Sequence, residues 1–190
     1  LTQSLSEGKE TAIVLVDATE QRLSQSLQNS PALTRRGLGN QSSILSYAAK
    51  NNIKVVNAYS TENETPLNSL KKKKRSRMYR AMSGQSESSN EYKDVQFSMD
   101  NQSLLSQELE GQDTVLVMAY SDGRMTTNIV DSLSDDLNKQ VLVSRHSNLD
   151  YQPSNLNTEE STAWLNIREK QNVKMLGSGS RSRFNICSVQ

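Results

Sequence analysis

The clearest pattern in the sequence is a pair of apolar runs joined by an amphipathic segment, between Gln112 and Arg145. The first run, Thr114–Ala119, is rich in β-branched residues and bounded by polar ones, as in a buried parallel strand. The segment after it carries apolar residues at helical spacing, and Val141–Val143 is a second short run. This order predicts a βαβ unit, and because ligands bind beyond the carboxyl ends of parallel strands, we expect function first in the loop from Tyr120 to Met125.

The rest of the chain repeats this alternation. Further runs have the length and composition of strands: Thr11–Val16, Ile53–Tyr59, Lys93–Phe97 and Val173–Leu176. A short surface helix is predicted over residues 17–30, ended by Ser30-Pro31, and others over 42–52, 101–110 and 158–171. The class is therefore α/β, a three-layer Rossmann-like fold with a mainly parallel sheet of about six strands.

The length of 190 residues suits one domain. We place it over residues 10–178, with a long polar and basic insertion around 61–91 and a flexible C-terminal tail at 179–190. A connection as long as this insertion is usually functional or mobile. Because Leu1 is not an initiator Met, we expect a fragment or a processed chain.

Composition excludes several classes of protein. The net charge of +1 creates no global field that would attract nucleic acid or a membrane. One cysteine, Cys187, allows no internal disulfide framework and no Cys-rich metal site, and with His146 as the one histidine we expect neither metal nor cofactor. No stretch reaches the ~20 apolar residues of a membrane helix. The richness in Asn, Gln, Ser and Lys suits a bacterial, cytoplasmic protein.

Three segments carry a resemblance to a known family. AIVLVDATEQRL is an apolar run ending in Asp17, VLVMAYSDGRMT is a strand followed by a loop and a helix start, and VLVSR follows at the expected distance. Their order and spacing over about residues 10 to 178 resemble the isochorismatase-like cysteine hydrolases, which include nicotinamidases and N-carbamoylsarcosine amidases. The Gln and second Asp that this family carries after the first Asp are missing here.

The resemblance implies a scaffold whose nucleophile is lost. In the family a Cys thiolate attacks an amide carbonyl or imine, an Asp transfers the proton, and a Lys helps lower the thiol pKa. Asp17 matches the Asp, Lys93 is the nearest candidate for the Lys, and Met125 stands where the Cys would be. A thioether has no ionisable proton and cannot replace the thiolate. The resemblance also implies that a homo-oligomer is possible.

Asp17 and Met125 also have purely structural interpretations, as do His146 and the loop that follows Tyr120. The spacing of Asp17 and Glu20 is that of a helix-capping pair, which we prefer to acid–base chemistry for Asp17. Met125 is expected to pack in the core or to plug the former pocket. His146 in its polar loop is expected to be exposed, and Ser121-Asp122-Gly123 to form an ordinary turn.

A basic cluster in the insertion is the strongest local charge signal. Its members are Lys71, Lys72, Lys73, Lys74, Arg75, Arg77 and Arg80. Such a cluster can bind nucleic acid or another anionic surface, contact a protein, or remain a solvated loop. Tyr79 is the one aromatic residue within it, which makes nucleic acid an unlikely ligand, and we prefer a contact with a protein partner.

Three functions follow from this sequence. The preferred one is a non-catalytic subunit of a hetero-complex or homo-oligomer, with polar loops as contact surfaces. The second is a hydrolase of amides or esters that uses Asp17, Lys93 and a hydroxyl such as that of Thr126 or Ser121. The third is a binder of nucleic acid or an anionic surface through residues 71–80, whose affinity would fall steeply with salt.

Overall fold

A parallel sheet of six strands lies at the centre of the protein, in the order β3-β2-β1-β4-β5-β6. The structure is a computed structural model that describes residues 10–60, 65–67, 92–120, 123–144, 147, 149, 167 and 169–176. Its strands are β1 (Thr11–Val16), β2 (Lys54–Tyr59), β3 (Tyr92–Gln96), β4 (Thr114–Ala119), β5 (Gln140–Ser144) and β6 (Val173–Leu176). Every adjacent pair of these strands is parallel, which confirms the predicted α/β class.

Helices cover both faces of the sheet. They are α1 (Glu20–Asn29), α2 (Pro31–Lys50), α3 (Ser103–Glu108) and α4 (Gly123–Asp131), and α4 continues into a π-helix at Ser132–Asp136. Apolar residues of α1 and α2 share one core cluster with Leu15 and Leu116, whereas those of α3 and α4 share the other with Val14 and Val117. The fold therefore has the predicted three layers.

Burial on both faces explains the continuous apolar runs of the central strands. All residues of β1 and β4 are buried, and consecutive side chains point to opposite helical layers. Neither face of these strands contacts water, so no alternation of polar and apolar residues is needed.

One predicted helix boundary is wrong. The helix expected over residues 42–52 begins at Pro31, and it runs for 20 residues to Lys50. The predicted end of the first helix at Ser30-Pro31 is confirmed, and Pro31 also occupies the first turn of α2, where its fixed φ is favourable and its missing N–H costs no hydrogen bond. Gly37 and Gly39 weaken the helical pattern in the first half of this helix, yet both lie inside α2.

The remaining boundaries shift by a few residues. The strand predicted at 93–97 is β3 at Tyr92–Gln96, and the helix predicted at 101–110 is the shorter α3. Gly111, expected to end that helix, lies beyond its last residue with a φ of 78°. The tail at 179–190 and most of the insertion at 61–91 and of the helix at 158–171 lie outside the described residues.

An ion-pair cluster joins Lys170, which precedes the edge strand β6, to the end of α4 and to the π-helix. Lys170 Nζ lies 3.0 Å from Asp131 Oδ1, and it also donates to Asp135 Oδ2 in the π-helix. The hydrogen bond from Lys170, with a second from Ser134, lowers the pKa of Asp135. Burial alone would lower the pKa of Lys170, but the bonds to Asp135 and Asp131 raise it.

We predict that Lys170→Met lowers the free energy of unfolding by about 0.5–1 kcal/mol at neutral pH, because the cluster is partly exposed to solvent. A lowered carboxyl pKa stabilises the fold above the ordinary value of about 4 and loses that effect as Asp135 is protonated. The difference between variant and wild type should therefore shrink as the pH falls below about 4. Urea titrations at several pH values measure it, with Lys174→Met as the control; an equal loss in both variants would contradict the prediction.

Candidate functional site

The carboxyl ends of β1 and β4 meet where the strand order reverses direction. β2 lies on one side of β1, whereas β4 and the strands after it lie on the other. The segments that follow β1 and β4 start side by side, because the Tyr120 N–H donates to the Val16 carbonyl over 2.8 Å. Such a switch point opens the crevice in which parallel α/β sheets bind ligands. The loops after β1 and β4 are therefore the candidate site.

Asp17 is the first residue after β1, and it is completely buried. Its Oδ1 accepts a hydrogen bond of 2.8 Å from the Ser60 N–H, and its Oδ2 lies 3.8 Å from Arg22 Nε. Its φ of 51° is in the left-handed region, which costs energy for a side chain other than glycine. The carboxylate thus ties the loop after β1 to the end of β2 and to helix α1.

Asn57 extends this polar network through the middle of β2. Its Oδ1 accepts from the Ala18 N–H at 3.0 Å, and its Nδ2 donates to the Ala18 carbonyl at 3.3 Å and to Asp94 Oδ1 at 2.9 Å. One buried amide of β2 therefore joins the turn after β1 to strand β3. The sequence interpretation missed Asn57 and Asp94, although a single amide inside the apolar run KVVNAY was a usable signal.

Thr19, not Asp17, caps helix α1. The Thr19 Oγ1 accepts from the Arg22 N–H at 3.3 Å, and Glu20 is already the first residue of the helix. The predicted capping pair of Asp17 and Glu20 is wrong because the chain turns at Asp17 before the helix begins. Thr19 is buried, and Leu67 donates its N–H to the Ala18 carbonyl, so residues 65–67 cover this turn.

We predict that Thr19→Ala lowers the free energy of unfolding by about 1 kcal/mol, through loss of the cap hydrogen bond. Thr19→Ser should retain most of the stability, since a serine hydroxyl caps equally well. Thermal melts of the two variants beside wild type test this. Equal losses for alanine and serine would show that the methyl group, and not the cap, stabilises the helix.

The described residues on the β4 side of the site are largely buried. Tyr120 is fully buried, and this burial raises the pKa of its hydroxyl far above the ordinary value. Met125, the third residue of α4, is half-buried and packs against the core cluster that contains Val16 and Ala119. This contact is one of the two roles expected for Met125, and plugging of a former pocket stays a prediction. Thr126 beside it is fully buried as well.

Lys93 lies away from Asp17. It is exposed on the edge strand β3, paired in register with Val56, and β2 separates it from β1. Its side chain forms no hydrogen bond or ion pair with another described residue, whereas the side chain of its neighbour Asp94 joins the network. Other candidates lie outside the described residues, namely Ser121, Asp122, His146, Cys187 and the basic cluster from Lys71 to Arg80.

A second polar contact lies at the end of β5. Gln41 of α2 is almost fully buried, and its Nε2 donates to the Ser147 carbonyl. Ser144 Oγ donates to Ser147 Oγ at 2.9 Å, and the Leu149 N–H donates to the Ala119 carbonyl at the same distance. Ser147 and Leu149 are thereby held against the ends of β5 and β4. Gln41 Oε1 accepts no hydrogen bond in this arrangement.

Neither a metal site nor a membrane helix is found in the described part of the chain. No three His, Cys, Asp or Glu side chains there are placed to hold a metal ion. None of the described helices has both the length and the apolar character needed to cross a membrane.

Comparison with known proteins identifies the fold. No protein-family model matches the sequence, and no curated protein does. A solved structure titled putative MAR1 ribonuclease from Leishmania major is similar at a TM-score of 0.60 and 13% identity, over 89% of this chain and 78% of that one. The MAR1 ribonuclease of Caenorhabditis elegans gives 0.58 and 9%, over 88% and 77%. An isochorismatase from Pseudomonas putida KT2440 gives 0.54 and 9%, over 87% of each chain. With its six parallel strands and flanking helices, the chain has the isochorismatase-like, Rossmann-type fold.

Proposed function

We propose that this chain is a non-catalytic protein of isochorismatase-like fold that serves as a binding subunit in a larger protein assembly. The observation that carries the proposal is Met125, which stands at the start of α4, where the resemblance places the thiolate. Its side chain packs against the core and offers no nucleophile. A hydrolase of this type has no covalent step without the thiolate.

The surroundings of Met125 support the same function. The carboxylate of Asp17 is engaged by the Ser60 N–H and Arg22, so it acts as an anchor between loops. Lys93 is exposed, and strand β2 lies between its strand and β1, which Asp17 follows. These are the roles expected of a site whose geometry is retained for stability after its chemistry is gone.

The experiment is purification of the tagged protein from its own source, followed by mass spectrometry and a size measurement. We expect a particle with stoichiometric protein components, larger than the 21.2 kDa chain. A monomer recovered without any partner would contradict the proposal. Deleting residues 71–89, which contain the basic cluster, should weaken binding of a hetero-partner and leave the fold intact; unchanged binding would remove this loop from the proposed contact surface.

A second function is favoured by one observation. Asp17 combines complete burial with a left-handed backbone at the switch point, and strained residues of this kind concentrate at active sites. In a hydrolase whose nucleophile is a hydroxyl and not a cysteine thiolate, Asp17 would accept the proton of that hydroxyl. Two of the similar structures bear ribonuclease titles, so phosphodiesters join amides and esters as substrates to test. Nucleic-acid binding through residues 71–80 rests on the sequence alone.

A further inference from the structure

The exposed large apolar side chains of the described residues lie on two opposite surfaces. Leu33 and Tyr47 of α2 expose 48% and 37% of their area. Met99, just before α3, and Leu104 within it expose 51% and 45%. Because α2 and α3 pack on different faces of the sheet, these pairs point away from each other across the molecule.

On α2 the exposed residues form a stripe along the helix. One side of the helix carries Leu33, Arg36, half-buried Ile44 and Tyr47, whose spacing matches the helical repeat. Leu33 and Tyr47 are about 21 Å apart along the helix axis. The stripe is mixed, since Arg36 and Asn40 lie between Leu33 and Ile44, and it offers both apolar contact and charge to a partner. We call Leu33, Arg36, Ile44, Tyr47 and Lys50 the α2 surface.

The two surfaces carry opposite charge. Helix α2 contains Arg35, Arg36 and Lys50 and no acidic residue. The stretch 99–113 contains Asp100, Glu108, Glu110 and Asp113 and no basic residue. We call Met99, Asp100 and Leu104 the α3 surface.

The charges on these surfaces are available to a partner. Arg36 and Asp100 are exposed, and neither forms an ion pair with another described residue. Glu108 differs, since it pairs with Lys54 at 3.1 Å, and it is therefore left out of the α3 surface. Each surface thus combines two exposed apolar side chains with unpaired charge of one sign, and each complements the other.

We propose that the protein binds a second copy of itself head-to-tail, with the α2 surface of one copy against the α3 surface of the next. This inference rests on the proposed function, and it names one partner of the assembly. Opposite charges favour contact between unlike surfaces and oppose contact between like ones. A contact between unlike surfaces leaves one of each free at the ends, so the assembly is a ring if the rotation closes and a filament if it does not.

The test uses two variants of the purified chain, Leu33→Asp on the α2 surface and Leu104→Asp on the α3 surface. Wild type should sediment as species larger than 21.2 kDa that grow with concentration. For each variant alone, the dissociation constant of self-association should rise at least about tenfold, because a charge replaces an apolar contact, and the chain should sediment as a monomer. An equal mixture should form a two-chain complex, since each variant retains the surface that the other has lost.

Controls separate folding from binding. Both leucines are exposed, so thermal melts of the variants should match wild type. Gln25→Asp, an exposed position of α1, makes the same charge change away from both surfaces and should leave association unchanged. Arg36→Glu and Asp100→Lys repeat the test by charge alone.

Three results would overturn the inference. The first is a wild type that is monomeric at every concentration, and the second is an equal mixture of the two variants that stays monomeric. The third is loss of self-association in the Leu33 variant but not in the Leu104 variant, which would indicate a symmetric contact between two α2 surfaces. A monomeric wild type leaves open the proposed function with a different partner. Hydrolysis that depends on Asp17 would instead contradict the proposed function and leave self-association intact.

Discussion

Asp17→Ala is expected to lower the free energy of unfolding by about 3 kcal/mol. The variant loses a charge-assisted hydrogen bond to the Ser60 N–H, worth about 1.5–3 kcal/mol. It also keeps a φ of 51°, which alanine tolerates poorly because of its Cβ, at a further cost of about 1 kcal/mol. Denaturant titration of the purified variant measures the sum.

Two further substitutions separate these contributions. Asp17→Asn keeps an acceptor for the Ser60 N–H and a residue type that adopts left-handed backbone, so the loss should be near 1 kcal/mol. Asp17→Gly removes the acceptor but relieves the strain, so it should be more stable than the alanine variant. Glycine less stable than alanine would contradict the left-handed conformation at this position.

Asn57→Ala is the second large effect, with an expected loss of about 2–4 kcal/mol. The substitution leaves the Ala18 N–H without its acceptor in a buried turn, and an unsatisfied buried group costs about 1–3 kcal/mol, whereas the Ala18 carbonyl keeps its bond from the Leu67 N–H. It also frees Asp94 from the bond that links β3 to β2. Urea titration gives the value.

The matched variants for this network are Asp94→Ala and Asn29→Ala. Asp94→Ala removes one bond of the three that Asn57 makes, and it should cost about 0.5–1.5 kcal/mol. Asn29 is exposed at the end of α1, and its replacement should change stability by less than about 0.5 kcal/mol. If Asn57→Ala costs no more than Asn29→Ala, the buried amide does not hold the loop.

The sequence predicted the fold well because its central strands β1 and β4 are buried on both faces. Continuous apolar runs such as Thr114–Ala119 are visible without any alignment, and the alternation of strands with helices defines the class. The start of α2 was missed for a local reason. Pro31 serves equally as the end of one helix and the first turn of the next, and only packing against the sheet decides between these roles.

The candidate site was predicted in part. Position along the chain placed Asp17 and Met125 at the carboxyl edge, because strand ends mark that edge in any parallel sheet. The partners of Asp17 were beyond reach, since Ser60 and Arg22 meet it only through the turn after β1. Likewise, the assignment of capping to Asp17 failed because Asp17 and Thr19 have equally suitable side chains, and the choice depends on a left-handed φ.

The central claim is that the chain retains the fold without the chemistry, and hydrolysis tests it most directly. Purified wild type and the Asp17→Asn variant would be assayed against amides, esters and RNA, with folding of both checked by thermal melts. We predict no turnover by either protein above the rate in buffer, because Met125 supplies no nucleophile and Asp17 is engaged in the fold. Turnover by wild type that a folded Asp17→Asn variant loses would contradict the account.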